Sequence, residues 1–337
     1  MDILISMLNI ILSIDYEIFG NGSGDPIKHI IKPADRLLNI TKKYNIPLTI
    51  MFEVFEYIAY EKFNDQFVKD YGYSPVEEIK NQIKKAYGDG NDVQLHIHPQ
   101  FIEMNYVKGK FLLKDSSKSI NDFSNEEVTK IIDEAKNKLI SLLNDSRYRC
   151  VAIRFSNMQW IEAPINTLSP LEKCGITFHS LYSYTPKSDK GYWKIDDSSI
   201  YEIPIFTVQK NYYKLFSLWR MFSIFYLWLY SPPSFFKKQN HDSEKMQNEK
   251  GKLFLKWDIS KLSYKEMMSF LEFAIKTYNH ENYEIPLVMI GHTKDFFNDK
   301  NFEKFLKISK EKYENDHILR FTTFADFKNI ISDNHDN

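Results

Sequence analysis

The chain has 337 residues, of which 43% are hydrophobic, so it is long enough for one large α/β-barrel domain or two ordinary domains. Lysine and arginine number 44 against 45 acidic residues, which leaves a formal net charge of -1. This balance gives no global field that would attract nucleic acid or an anionic membrane, so we expect no nucleic-acid partner.

Two cysteines, Cys150 and Cys174, lie in apolar surroundings near the edges of predicted strands. This context is typical of buried free thiols and of a reducing compartment rather than of a disulfide framework. The N-terminal apolar run has no basic region before it and no small-residue cleavage site, which argues against a signal peptide. We therefore expect a cytoplasmic protein.

Residues 9–17 form an apolar run that ends in two acids, Asp15 and Glu17, before a glycine-rich stretch. Such a run predicts a strand covered on both faces, and the two-residue period directs both carboxylates to the same side. Like charges this close raise each other's pKa unless a cation neutralises them. The pair therefore indicates a cationic partner, although one acid capping a helix and one in solvent is the simpler alternative.

Strands and helices are predicted to alternate along the rest of the chain. The predicted strands are 9–17, 46–52, 93–99, 150–155, 176–180, 201–205, 285–292 and 318–321. The predicted helices are 26–43, 54–69, one opening at 74–75, 124–143, 161–173, 263–278 and one from 323. This alternation predicts a parallel barrel or an open wound sheet, and we interpret residues 1–337 as one domain.

An insertion is predicted at residues 207–256. It contains an apolar, aromatic segment, 214–230, and a polar stretch, 237–252. The apolar segment is shorter than the roughly 20 residues of a bilayer span and carries Arg220, so a transmembrane helix is not expected. A buried or capping helix, an oligomer contact and a helix at a membrane surface remain open for it.

Most residue types suited to chemistry fall at or just past the ends of predicted strands. They are Asp15, Glu17, Glu53, His96, His98, Arg154, His179 and His292. Because the carboxyl ends of parallel strands meet on one face of a barrel, we expect these side chains to share a site.

His96 and His98 are two apart on a predicted strand and point the same way. Two imidazoles and a carboxylate of the first strand form a set that suits Zn, Fe, Mn, Co or Ni. The alternative is a pair of satisfied polar side chains at the mouth of a barrel. Arg154 is expected to anchor a carboxylate through two hydrogen bonds, or else to be a surface cation.

Six short motifs carry a resemblance to a known family. They are Ser-Ile-Asp-Tyr-Glu (13–17), Leu-His-Ile-His-Pro (95–99), Ile-Arg-Phe-Ser-Asn-Met-Gln-Trp (153–160), Gly-Ile-Thr-Phe-His-Ser-Leu (175–181), Tyr-Glu-Ile-Pro-Ile (201–205) and Met-Ile-Gly-His-Thr (289–293). In order and content they resemble the successive motifs of NodB-type polysaccharide deacetylases. The resemblance implies an incomplete seven-stranded β/α barrel that removes N- or O-acetyl groups from sugars by metal-assisted hydrolysis.

The resemblance also implies roles for particular residues. Asp15 would be the general base, oriented by Arg154, and His292 the general acid. The predicted metal ligands are Glu17, His96 and His98, with zinc as the first choice of divalent ion, and the predicted substrate-binding residues are Glu53, Trp160 and His179.

The chain departs from the family's pattern at three motifs. Its usual Asp-Asp pair is replaced by residues 15–17, so either Asp15 or Glu17 binds the metal, and its two histidines are spaced by two rather than four. An Asp-Ser pair is replaced by His179-Ser180. Besides an acetylated-sugar hydrolase, two alternatives stay open, namely an inactive carbohydrate-binding or scaffold protein and a glycoside hydrolase with two positioned carboxylates.

Overall fold

The computed structural model describes residues 6–156, 165–181, 190–211, 225, 229, 252–278, 283–314 and 316–333. Its strands are β1 (Met7–Tyr16), β2 (Thr49–Glu53), β3 (Asp92–Ile97), β4 (Met104–Val107), β5 (Lys110–Leu113), β6 (Ala152–Phe155), β7 (Phe178–His179), β8 (Trp193–Lys194), β9 (Tyr201–Glu202), β10 (Thr207–Asn211), β11 (Lys252–Lys256), β12 (Glu284–His292) and β13 (Leu319–Thr322). Its α-helices are α1 (Lys32–Lys43), α2 (Val54–Lys62), α3 (Asn64–Tyr71), α4 (Pro75–Gly88), α5 (Asn125–Leu143), α6 (Ile165–Lys173), α7 (Tyr264–Tyr278), α8 (Asp299–Ser309) and α9 (Phe324–Asp333).

Seven strands follow one another in a parallel sheet in the order β12, β1, β2, β3, β6, β7 and β9. The strand β13 pairs with the first half of β1, at Leu8–Ile11, while β2 pairs with its second half. The short β8 runs antiparallel to β9. Because a parallel bridge joins Ile205 to Val288, the two ends of the sheet approach each other. The sheet is thus the predicted incomplete barrel.

Side chains of β1 are buried on both faces of the sheet, as its apolar sequence predicted. Ile11 packs inside the barrel with Val288 and with Phe324 and Phe327 of α9. Its neighbour Leu12 belongs to the larger core between the sheet and the surrounding helices. The apolar burial of alternate residues on opposite faces holds the strand in register.

Local sequence signals set the starts of two helices. Ser74 accepts a hydrogen bond from the backbone N–H of Glu77, and Pro75 occupies the first turn of α4. At α5, Ser124 and Glu127 bond each other's backbone N–H groups in a capping box. Both arrangements satisfy amide donors that the first turn of a helix leaves unpaired.

The prediction of a single helix at 54–69 is wrong, because the structure has two helices, α2 and α3, separated at Phe63. The Phe63 ring packs against Tyr106 and Phe111 of the β4–β5 hairpin. The residues between Pro99 and Leu113, which were not assigned to any element, supply this hairpin, so tertiary packing rather than a helix breaker sets the division.

The strands β10 and β11 form a separate antiparallel ladder at the two ends of the predicted insertion. Trp160, most of the apolar segment 214–230 and nearly all of the polar stretch 237–252 lie outside the described residues. In the part of the chain that is described, no helix has the length and apolar character needed to cross a bilayer. Cys150 and Cys174 are free and buried.

Candidate active site

The register of the sheet brings the predicted site residues together. Asp15 lies opposite His292 across the β1–β12 pair, and His96 lies opposite Arg154 across the β3–β6 pair. A cavity of about 280 Å³ opens at this end of the barrel. It is lined by Asp15, Glu17, His96, His98, Arg154, Phe155, Ser156, Ser180, Leu181, Ile205, Lys256, Ile290, His292 and Lys294.

Asp15 is buried between a guanidinium and two imidazoles. Its Oδ1 accepts a hydrogen bond from Arg154 Nη1, and its Oδ2 lies 3.4 Å from His292 Nε2 and 3.8 Å from His96 Nε2. Burial alone would raise the pKa of Asp15, but the charge of Arg154, together with the two histidines, lowers it below its ordinary value. The carboxyl is therefore ionised and can accept a proton.

Arg154 is held in place by more than its contact with Asp15. Its Nη2 donates to Ser13 Oγ at 3.1 Å and to Ser180 Oγ at 3.2 Å, and its Nε donates to the backbone carbonyl of Ser180 at 3.2 Å. With its donors directed to fixed acceptors on β1 and after β7, the planar guanidinium cannot rotate. Arg154 thus fixes the orientation of Asp15.

Glu17, His96 and His98 form a tight group beside Asp15. Glu17 Oε2 lies 3.2 Å from His96 Nε2 and also contacts His98 Nε2, and the two imidazole Nε2 atoms are 2.9 Å apart. Burial lowers the pKa of His96, but the charges of Asp15, Glu17 and Glu53 and the hydrogen bond to Glu17 outweigh it and raise the pKa to about 9. The surroundings of His96 Nε2 therefore favour a positive charge.

The donor atoms of this group fit a divalent metal ion. His96 Nδ1 lies 2.8 Å from the carbonyl of Arg154, which can only accept, so the lone pair of neutral His96 lies on Nε2. His98 Nδ1 lies 2.9 Å from Gln100 Nε2, and no described residue bonds the buried Gln100 Oε1. Exchanging the oxygen and nitrogen of the Gln100 amide lets Oε1 accept a hydrogen bond from a protonated His98 Nδ1. The lone pair of His98 then lies on Nε2.

His292 has one nitrogen facing Asp15 and the other facing the 3₁₀ turn that follows β12. Its Nδ1 lies 3.9 Å from Asp295 Oδ1, and neither atom has a hydrogen-bond partner among the described residues. Burial lowers the pKa of His292 to about 4, more than the negative charge of Asp15 raises it. The imidazole is therefore neutral near pH 7.

Lys294, which the sequence reasoning did not single out, is a further member of the site. Its ammonium donates to Glu17 Oε1, on the side of the carboxylate away from the imidazoles. It lies in the 3₁₀ turn that follows β12, where the two-residue period of a strand no longer applies, so no sequence signal indicated its direction.

Two predicted substrate-binding residues lie outside the cavity lining that the described residues form. Glu53 accepts hydrogen bonds from the backbone N–H groups of Phe55 and His98, at 3.1 and 2.6 Å. His179 Nδ1 pairs with Glu202 Oε2 at 2.6 Å in the buried layer outside the barrel. Their contact with substrate, like that of Trp160, stays a prediction, and the observed bonds give Glu53 a part in holding the backbone of His98.

The sequence matches no protein-family model and no curated protein. Solved structures do match. A protein from Mycobacterium smegmatis described as a polysaccharide deacetylase superposes with a TM-score of 0.53 and 11% identity, covering 98% of this chain and 92% of that chain. One from Pseudomonas aeruginosa PAO1, also described as a polysaccharide deacetylase, has a TM-score of 0.50 and 12% identity over 95% of this chain and 89% of that chain.

A 4-alpha-glucanotransferase from Thermococcus litoralis matches with a TM-score of 0.50 and 8% identity, covering 96% of this chain but 40% of that chain. These likenesses show the fold, and the fold is the NodB-type barrel that the motifs predicted. Because proteins with this fold are described as catalysing different reactions, the reaction has to be argued from the site.

Proposed function

We propose that the protein is a metal-dependent hydrolase that removes an N- or O-linked acetyl group from a sugar or glycan. One observation carries the proposal. Asp15, held by Arg154 and facing His292, shares a single cavity with the Glu17, His96 and His98 group. Hydrolysis of an acetyl group requires a base for water and an acid for the leaving amine or alcohol, and the proximity of Asp15 and His292 supports these two roles for them.

The residues proposed to hold the metal are Glu17, His96 and His98, with zinc as the first choice because two imidazoles and a carboxylate suit it. These three residues would hold a divalent ion, which would supply Lewis-acid polarisation of the acetyl carbonyl. Asp15 takes a proton from water, and Arg154 keeps its carboxylate ionised and oriented. His292, neutral at rest, receives that proton across the 3.4 Å separation from Asp15 Oδ2 and delivers it to the leaving atom.

The experiment is acetate release from a panel of N- and O-acetylated sugars with each divalent metal supplied. Positioned proton transfer contributes ~10²–10⁴-fold, so we expect Asp15→Asn and His292→Ala each to lower the rate by that order. Asp65→Asn, which changes an exposed aspartate on α3, should release acetate at the parent rate. If the parent released none under any condition, the proposal would fail and the inactive-protein alternative would gain.

Metal analysis of the same proteins before and after chelation separates the roles of the two acids. The parent and Asp15→Asn should retain stoichiometric metal, while His96→Ala and His98→Ala should lose it, because each removes one of three ligands. Loss of metal from Asp15→Asn would instead make Asp15 a ligand.

The cellular setting that we propose follows from the thiols. Cys150 and Cys174 are both free and buried, which supports a reducing compartment such as the cytoplasm. The substrate would then be an acetylated sugar or glycan precursor rather than an extracellular polymer. Contact of segment 214–230 with a membrane surface or a second subunit stays a prediction.

A further inference from the structure

The two oxygens of Glu17 have different partners. Oε2 faces the Nε2 atoms of His96 and His98, whereas Oε1 accepts a hydrogen bond from Lys294. The Lys294 side chain is only 15% exposed. The Lys294 ammonium and the Glu17 carboxylate therefore form a buried ion pair.

Each acid of the cavity already has a cation of its own. Asp15 pairs with Arg154, and Glu17 pairs with Lys294. A divalent ion bound through Glu17 would share that carboxylate with the ammonium and would add positive charge that these two acids no longer balance. Like charges in a buried site repel strongly because solvent screens them little.

Building on the metal site proposed above, we propose that Lys294 opposes the metal and weakens the affinity of the site for divalent ions. Lys294 forms an ion pair with Glu17, and its positive charge repels a metal ion that binds to the same carboxylate. Removing the positive charge of Lys294 therefore tightens metal binding.

A second effect acts in the opposite direction. Groups that orient a metal ligand by a hydrogen bond typically improve metal affinity 10–100-fold, and Lys294 bonds Glu17. The position of Glu17, however, does not depend on Lys294 alone. Its backbone N–H and carbonyl lie 3.3 and 3.2 Å from Thr293 Oγ1, and its Oε2 contacts both imidazoles. Because these contacts remain when the lysine is changed, the loss of repulsion is the larger effect.

Two substitutions separate charge from orientation. Lys294→Gln removes the charge and keeps a donor, while Lys294→Met removes both. The affinities of Zn²⁺ and Co²⁺ for each purified variant are measured by competition with a chelator. Both variants should bind at least tenfold more tightly than the parent, which corresponds to about 1.4 kcal/mol. Lys265→Met, a change of an exposed lysine on α7, should have the parent affinity.

Equal or weaker metal binding by both variants would overturn the proposal. Parent affinity in Lys294→Gln with weaker binding in Lys294→Met would also overturn it, because that pattern shows orientation alone. If Lys294→Met does not fold by circular dichroism, Lys294→Gln decides. Since affinity is measured without substrate, tighter binding supports the role of Lys294 even if no acetate is released, whereas a parent and variants that bind no metal overturn both this role and the metal site.

Discussion

The two ends of the barrel interior are built from the same strands and differ in chemistry. On β1, the inward residues pass from Ile11 at one end to Ser13 and then Asp15 at the other, and on β12 they pass from Val288 through Ile290 to His292. Around Ile11 and Val288 the interior is packed with apolar side chains of α9, although Asn9 and Asp92 are buried nearer the starts of their strands. Toward their ends it is ionic and opens into the cavity.

The difference shows how one scaffold supports a costly site. Buried charges lose their hydration, and a set of paired ions contributes little net stability even when it is well arranged. The apolar end gains free energy from burial of aromatic and branched side chains. We therefore expect changes at the apolar end to alter stability and changes at the open end to alter chemistry.

The largest effect on stability should follow from truncating an α9 side chain that packs inside the barrel. Phe327 is fully buried and its ring packs against Phe178 of β7. Phe327→Ala should lower the free energy of unfolding by about 3–5 kcal/mol, because burial is lost and a cavity remains. This loss of stability is measured by denaturant unfolding. As the control, Asn329→Ala on the exposed face of α9 should change the free energy of unfolding by no more than about 0.5 kcal/mol.

Metal content of folded Phe327→Ala should equal that of the parent. If the variant were as stable as the parent but bound metal poorly, the division between a stabilising end and a chemical end would be wrong.

Much of this architecture could be predicted from local sequence. The runs 10–12 and 287–290 are wholly apolar, which is typical of strands buried on both faces. The capping box at Ser124 marks the start of α5. The hairpin β4–β5 could not be predicted, because its strands are four residues each and partly exposed. The break at Phe63 depends on packing against that hairpin, which no local pattern records.

The site was predictable where the chemistry lies at a strand end. Asp15, His96, Arg154 and His292 were each placed by this rule, and they line one cavity. Partners supplied from loops were not predictable. Gln100 lies in a 3₁₀ turn after β3 and contacts His98, yet a lone glutamine after a proline carries no signal of that contact.

The next prediction concerns the pH dependence of stability and rests on Glu56, a buried acid near the open end. Its Oε2 accepts from the backbone N–H of Ile18 at 2.9 Å and its Oε1 from Tyr60 Oη at 2.8 Å. Burial raises its pKa from 4.5 to about 8. Between these values the unfolded chain ionises while the folded protein does not, so stability falls as pH rises from 4.5 to 8, on the order of 1 kcal/mol per pH unit, and levels off above.

Glu56→Gln should make this slope shallower, because the neutral amide can accept from Ile18 N–H and donate to Tyr60 Oη. Burial also raises the pKa values of Glu53 and Asp92, and their part of the slope should remain. The measurement is the free energy of unfolding at several pH values for the parent, for Glu56→Gln and for Glu134→Gln, an exposed glutamate on α5. A slope equal in all three proteins would assign the pH dependence to other groups.

The smallest and sharpest contrast uses two inward positions on β1, one at each end of the barrel. Ile11 packs in the apolar core, whereas Ser13 Oγ donates to the Met289 carbonyl at 3.1 Å and accepts from Arg154 Nη2 at 3.1 Å. Ile11→Val should lower the free energy of unfolding by about 0.5–1.5 kcal/mol and leave acetate release unchanged.

Ser13→Ala removes one hydrogen bond from the arginine that orients Asp15, at a similar cost of about 1 kcal/mol in stability. Because Ser180 still holds the guanidinium, we expect a loss of acetate release that is several-fold but well below that of Asp15→Asn. Unfolding free energy and rate are measured on the same preparations. Two variants with matched losses of stability and equal rates would show that the two ends of the barrel are not functionally distinct.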